Sequence, residues 1–104
     1  MISTDIVFRR GILFVRIRKN NDTKKDEIKL VCDLVKKIGI KYMVLNFSDD
    51  LIDNDFKIRL IINNYRELMK VSGKLFLCGN VDITMYNNLG IDRIDYEKEA
   101  FQRM

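Results

Sequence analysis

Ser48, Asp49, Asp50, Asp53, Asn54 and Asp55 stand in one stretch of the chain and hold most of the chemistry its side chains can offer. The carboxylates Asp49, Asp50, Asp53 and Asp55 are the composition of a magnesium site or of an aspartyl-phosphate acceptor. The same residues are also what a turn followed by a helix start requires. Ser and Asp stop a strand because their side chains bond the local backbone. Asp and Asn at a helix N-terminus satisfy unpaired N–H groups and face the positive end of the dipole.

Two strongly patterned segments flank this stretch. Residues 42–47 (YMVLNF) are apolar except for Asn46, the pattern of a strand buried on both faces. Residues 53–71 carry Phe56, Leu60, Ile61, Tyr65, Leu68 and Met69 at helical spacing. Ile58 and Ile62 widen that stripe. A loop that leaves a buried strand and opens a helix is a common place for function in α/β domains.

Absences restrict the chemistry further. The chain has no histidine, which removes an imidazole base, Ser-His and Cys-His pairs and the common zinc sites. Its cysteines, Cys32 and Cys78, lie far apart and form no CxxC; each reads as a buried free thiol. A non-enzymatic protein with no cofactor and no metal is expected. The net charge is +4, with lysines clustered in residues 19–41. They alternate with apolar residues at helical spacing, the wet face of a helix, so nucleic acid is not the expected partner. The 104 residues are 47% hydrophobic and 33% charged, which predicts one compact domain spanning 1–104. No apolar run is long enough to span a bilayer and no signal core follows the start, so the cytoplasm is the expected location.

The elements that must position the acidic stretch follow from the patterning. Residues 5–10 and 12–18 are two strands reversing at Gly11, the second with Arg16 and Arg18 on a wet face. Thr23 or Asp22 caps a helix whose core stripe is Ile28, Val31, Leu34, Val35 and Ile38. Gly39 ends it in a left-handed turn, and a strand over 40–47 follows. After the helix at 53–71, Ser72-Gly73 closes and KLFLCG (74–79) is the next strand. A short helix beginning at Asn80 or Asp82 covers Ile83, Met85, Tyr86 and Leu89. A brief edge strand over 91–95 and a terminal helix over 96–104 with Ala100 and Phe101 inward complete the chain. The order β-β-α-β-α-β-α-β-α predicts an α/β fold with a mixed sheet of about five strands, its helices mainly on one side.

This order and the residues VLNFSDD, LIDNDF, NNYRELMKVSGKLFLCG and MYNNLGI resemble the STAS domain of anti-sigma factor antagonists. In that family a buried strand leads to a loop of the form hydrophobic-hydrophobic-Asp-Ser-Ser-Gly. The second serine is phosphorylated by a partner anti-sigma kinase. Here the local text is Leu51-Ile52-Asp53-Asn54-Asp55-Phe56. With Asp53 matched to the family's Asp, which needs a one-residue shift before Tyr65, Asn54 and Asp55 replace the serines and Phe56 replaces the glycine. In the ungapped frame the phosphorylated position falls on Phe56. Both frames lack the hydroxyl. Ser48, the one serine in the acidic loop, precedes the helix start and is not expected to be a phosphosite.

The resemblance implies a protein-binding regulator with Asp53, Asn54, Asp55 and Phe56 as its motif loop. Its partner would be an anti-sigma factor of the serine-kinase type, or another protein. Two other readings remain. One is a STAS-type scaffold module that self-associates in a larger assembly. The other is a receiver that uses the aspartates with magnesium. A receiver needs an acidic pair after its first strand, and this chain offers Arg18, Lys19, Asn20 and Asn21 there.

Overall fold

Arg10 and Gly11 both adopt positive φ, 53° and 83°, as a type I′ turn requires. They join strand β1 (Thr4–Arg9) to strand β2 (Ile12–Ile17), with Arg9 opposite Ile12 in an antiparallel pair. The computed structural model describes residues 4–17, 25–47, 54–79, 81, 84 and 86–103. After the hairpin come α1 (Lys25–Ile38), β3 (Tyr42–Phe47), α2 (Asn54–Met69), β4 (Lys74–Gly79) and β5 (Asp92–Ile94). Short 3-10 helices cover Asn87–Leu89 and Glu97–Gln102. The five strands form one sheet in the order β1-β2-β3-β4-β5, and β2 to β5 run parallel. The expected α/β fold with a mixed five-stranded sheet is therefore present.

The sheet separates two cores. On the helix side Leu13, Val15, Met43, Leu45, Phe47, Leu75 and Leu77 meet Val31, Val35, Leu60, Ile61 and Leu68. On the other side Ile12, Phe14, Val44, Phe76, Cys78 and Ile94 meet Ala100, with Phe101 packed against them. This double burial corrects the expected wet face on β2. Ile12 to Val15 are all buried and Arg16 alone in Ile12–Ile17 is exposed, because β2 lies between β1 and β3 with both faces covered. Arg18 lies outside the described residues.

The helix stripes are narrower than the sequence suggests. Ile38 and Met69 are 53% and 41% exposed; each is the last residue of its helix. Leu34 and Ile62 are half-buried. Gly39 takes the left-handed turn as expected, at φ 70°. After α2 the left-handed residue is Ser72, at φ 55°. Gly73 answers a different demand: a Cβ there would strike the carbonyl oxygen of Lys41, which accepts the Lys74 N–H at 2.7 Å. The last strand is an edge, as expected, but shorter, and the terminal helix is 3-10 rather than α. Of the short helix expected after β4, Tyr86 is buried and Leu89 is 39% exposed, as it leads straight into the left-handed Gly90. Asn80, Asp82, Ile83 and Met85 lie outside the described residues.

Candidate protein-docking site

The position of α2 follows from its buried stripe. Leu60, Ile61 and Leu68 face the core, and this rotation leaves Asp55 exposed in the first turn. A carboxylate there is favoured by the helix dipole. The Asp55 carbonyl accepts from Arg59 Nε at 3.3 Å. Asp55, half-buried Ile58 and exposed Arg59 line a shallow, open depression of about 370 Å3. Lys57 Nζ lies 5.8 Å from the centre of the Phe47 ring, so a cation–π contact holds the first turn of α2 against the end of β3.

The sequence-predicted site residues are placed only in part. Asn54 opens α2, one residue later than expected, and Phe56 lies in its first turn; their side chains lie outside the described residues. So do Ser48, Asp49, Asp50 and Asp53. Of the acidic cluster, Asp55 alone is among the described residues, which contain no group of three metal-ligating side chains.

Neighbouring strand ends frame this helix start. Phe47 of β3 is level with Gly79 of β4. The Tyr65 hydroxyl donates to the Leu89 carbonyl at 2.9 Å, tying α2 to the turn before β5. On the opposite sheet face the Glu97 carboxylate accepts from Arg16 Nη2 at 2.8 Å, Arg16 Nε at 2.9 Å and Asn46 Nδ2 at 2.9 Å. The hydrogen bond from Arg16 holds the Glu97 carboxyl below the usual carboxylate range, against the opposing effect of burial. Sequence reasoning missed Glu97. The signal was Asn46, a polar residue in an otherwise apolar strand, which needs a partner once buried.

Neither cysteine is activated. Burial, with a smaller push from Glu67, raises the Cys32 thiol; burial and then Glu97 raise the Cys78 thiol. Cys78 is buried and donates to the Asp95 carbonyl at 3.6 Å. Both are free thiols, as expected, and Cys32 is only half-buried.

No known family profile matches the sequence, and no curated protein matches it. Solved structures do. The anti-sigma factor antagonist SpoIIAA in its unphosphorylated form superposes with a TM-score of 0.74 over 96% of each chain, at 18% identity. The Bacillus cell fate determinant SpoIIAA in the phosphorylated form gives 0.72 at 17% identity, over 96% of this chain and 97% of that one. The chain has the STAS fold. At this identity the likeness speaks for the arrangement of elements. In this STAS fold the expected core of α2 is correct at Leu60, Ile61 and Leu68, with Tyr65 packed against it. No helix among the described residues is long and apolar enough to cross a membrane.

Proposed function

We propose that this chain is a non-enzymatic, protein-binding regulator of the anti-sigma factor antagonist type. It docks an anti-sigma factor through Asp53, Asn54, Asp55, Phe56 and the adjoining face of α2, and so releases a sigma factor. The observation that carries this reading is the STAS fold over nearly the whole length of both chains, with the first turn of α2 open to solvent at Asp55. A docking protein needs a rigid sheet and an exposed helix edge and no catalytic constellation, which agrees with a chain lacking histidine.

The proposed regulator differs from a phosphorylated antagonist in one respect. The segment from Asp53 to Phe56 contains no hydroxyl, so its docking is not switched off by phosphorylation there. Asp55 holds a carboxylate of about one charge, against roughly −1.5 to −2 for a phosphoserine. It imitates the modified state only partially.

The test is calorimetry with an anti-sigma factor of the serine-kinase type from the same genome, using wild type, Asp55→Ser and, as a frame control, Asp53→Ser. Binding by wild type, strengthened by Asp55→Ser, supports the reading. Incubation with the same kinase and ATP should leave wild type unmodified and place phosphate on Asp55→Ser. No binding by either protein refutes the function. Weaker binding by a folded Asp55→Ser makes Asp55 a direct contact and refutes the partial mimic.

A further inference from the structure

A second surface adjoins the motif loop and meets it at Arg59. The groove between α1 and α2 is open to solvent and holds about 500 Å3. Lys29, Cys32, Asp33 and Lys36 line it from α1, and Arg59, Arg66 and Glu67 from α2. Four cations thus face two carboxylates. Glu67 is already engaged, by Lys70 at 3.0 Å and Lys36 at 3.8 Å. Neither Lys29 nor Arg66 has an ion pair among the described residues. The trough carries an uncompensated positive charge that Asp33 only partly offsets.

The spacing of these cations selects the ligand. Both helices connect parallel strands, so they run in the same direction, and the Lys36–Glu67 contact fixes their relative register. Lys29 and Arg59 therefore lie toward one end of the groove, and Lys36 and Arg66 toward the other. Seven residues of helix separate the members of each row, a rise of about 10 Å. Cys32 lies between the ends. A single phosphate needs donors that converge on one point. Here the charges are spread along a line. Carboxylates three residues apart on a polyproline II segment, with three residues per turn at about 3.1 Å each, fall on one face and match that line.

We propose that the α1–α2 groove binds an acidic peptide segment of a protein partner, its carboxylates meeting Lys29 and Arg59 at one end and Lys36 and Arg66 at the other. This surface uses none of Asp53, Asn54 or Phe56 and shares Arg59 with the depression beside Asp55, so its test rests on Cys32, Lys29 and Arg66, which the motif-loop reading does not use.

Cys32 is a built-in reporter, half-buried in the groove, while buried Cys78 lies on the far face of the sheet. Wild-type protein is alkylated at mildly alkaline pH with and without a short polyglutamate peptide, and each cysteine is read by peptide mapping. The peptide should slow labelling of Cys32 and leave Cys78 unchanged. Calorimetry at low salt should show binding that Lys29→Glu and Arg66→Glu each weaken about tenfold, and that Arg103→Glu, an exposed reversal on the C-terminal segment, leaves nearly unchanged. The proposal is overturned by no protection of Cys32, by equal weakening from Arg103→Glu, or by equal protection of Cys32 from inorganic tripolyphosphate. The labelling experiment uses only wild-type protein, so it decides the matter even where a variant fails to fold.

Discussion

Replacing Glu97 by Gln removes the charge that holds the C-terminal segment on the second face of the sheet. The carboxylate accepts from Arg16 Nη2 at 2.8 Å, from Arg16 Nε at 2.9 and 3.2 Å, shared between its two oxygens, and from Asn46 at 2.9 Å. A hydrogen bond to a charged group contributes about 1.5–3 kcal/mol when shielded. The Arg16 side chain is 46% exposed and that of Glu97 20%, so solvent screening reduces the pair toward the surface range. The expected cost of Glu97→Gln is about 1–2 kcal/mol at neutral pH, measured by urea unfolding. The pH dependence has a definite sign. The folded-state pKa of Glu97 is lowered by Arg16, so its contribution is present above the unfolded carboxylate pKa and is lost as pH falls through the folded one. The gap between wild type and Glu97→Gln should hold from neutral pH down to the ordinary carboxylate range, then close with further acid. A double-mutant cycle with Arg16→Gln should recover much of the loss as coupling. Equal stability of the two proteins at neutral pH, or a gap that persists unchanged through acid unfolding, would refute this account of the network.

Asn64 is fully buried in α2; its Nδ2 donates to the Leu60 carbonyl at 2.8 Å, while its Oδ1 finds no partner among the described residues. Asn64→Leu should therefore raise stability by about 1–3 kcal/mol, read as a higher urea midpoint with unchanged slope. Gly73→Ala should lower stability by about 1–3 kcal/mol in the same assay, because its Cβ meets backbone rather than a yielding side chain.

Much of the fold was legible because strand and helix periods were strong. Leu60, Ile61 and Leu68 were found from helical spacing, and Met43 to Leu45 from an unbroken apolar run, and all are buried. The errors have a common physical cause: period gives a direction and not the extent of the neighbour that covers it. Ile38 and Met69 keep the phase of their helices but, as the last residue of each, stay exposed. On β2, four consecutive apolar residues were read as a half-wet strand, although such a run also fits a strand with cores on both faces. The candidate site was less legible. Asp55 was correctly placed in the first turn of a helix, since capping chemistry is local. Asn46 signalled the need for a partner, but Glu97 could not be named as that partner, because Asn46 and Arg16 lie 51 and 81 residues away from it and no local pattern records such a pairing.

The order of the strands along the chain is also their order across the sheet. A nascent chain can therefore grow this sheet from one edge, each parallel strand arriving beside the one made before it. The second core does not share that schedule. Phe101 packs on Phe14 with ring centres 5.6 Å apart, and the Arg10 guanidinium lies 5.4 Å from the Phe101 ring. Residues at the first hairpin thus wait for residues synthesised after all five strands. Until then one face of the sheet, with Phe14, Val44 and Phe76, stays open to solvent and to other chains. The slow step of folding should be the docking of this last segment, whose contacts span the greatest length of chain and carry the largest loop-closure entropy.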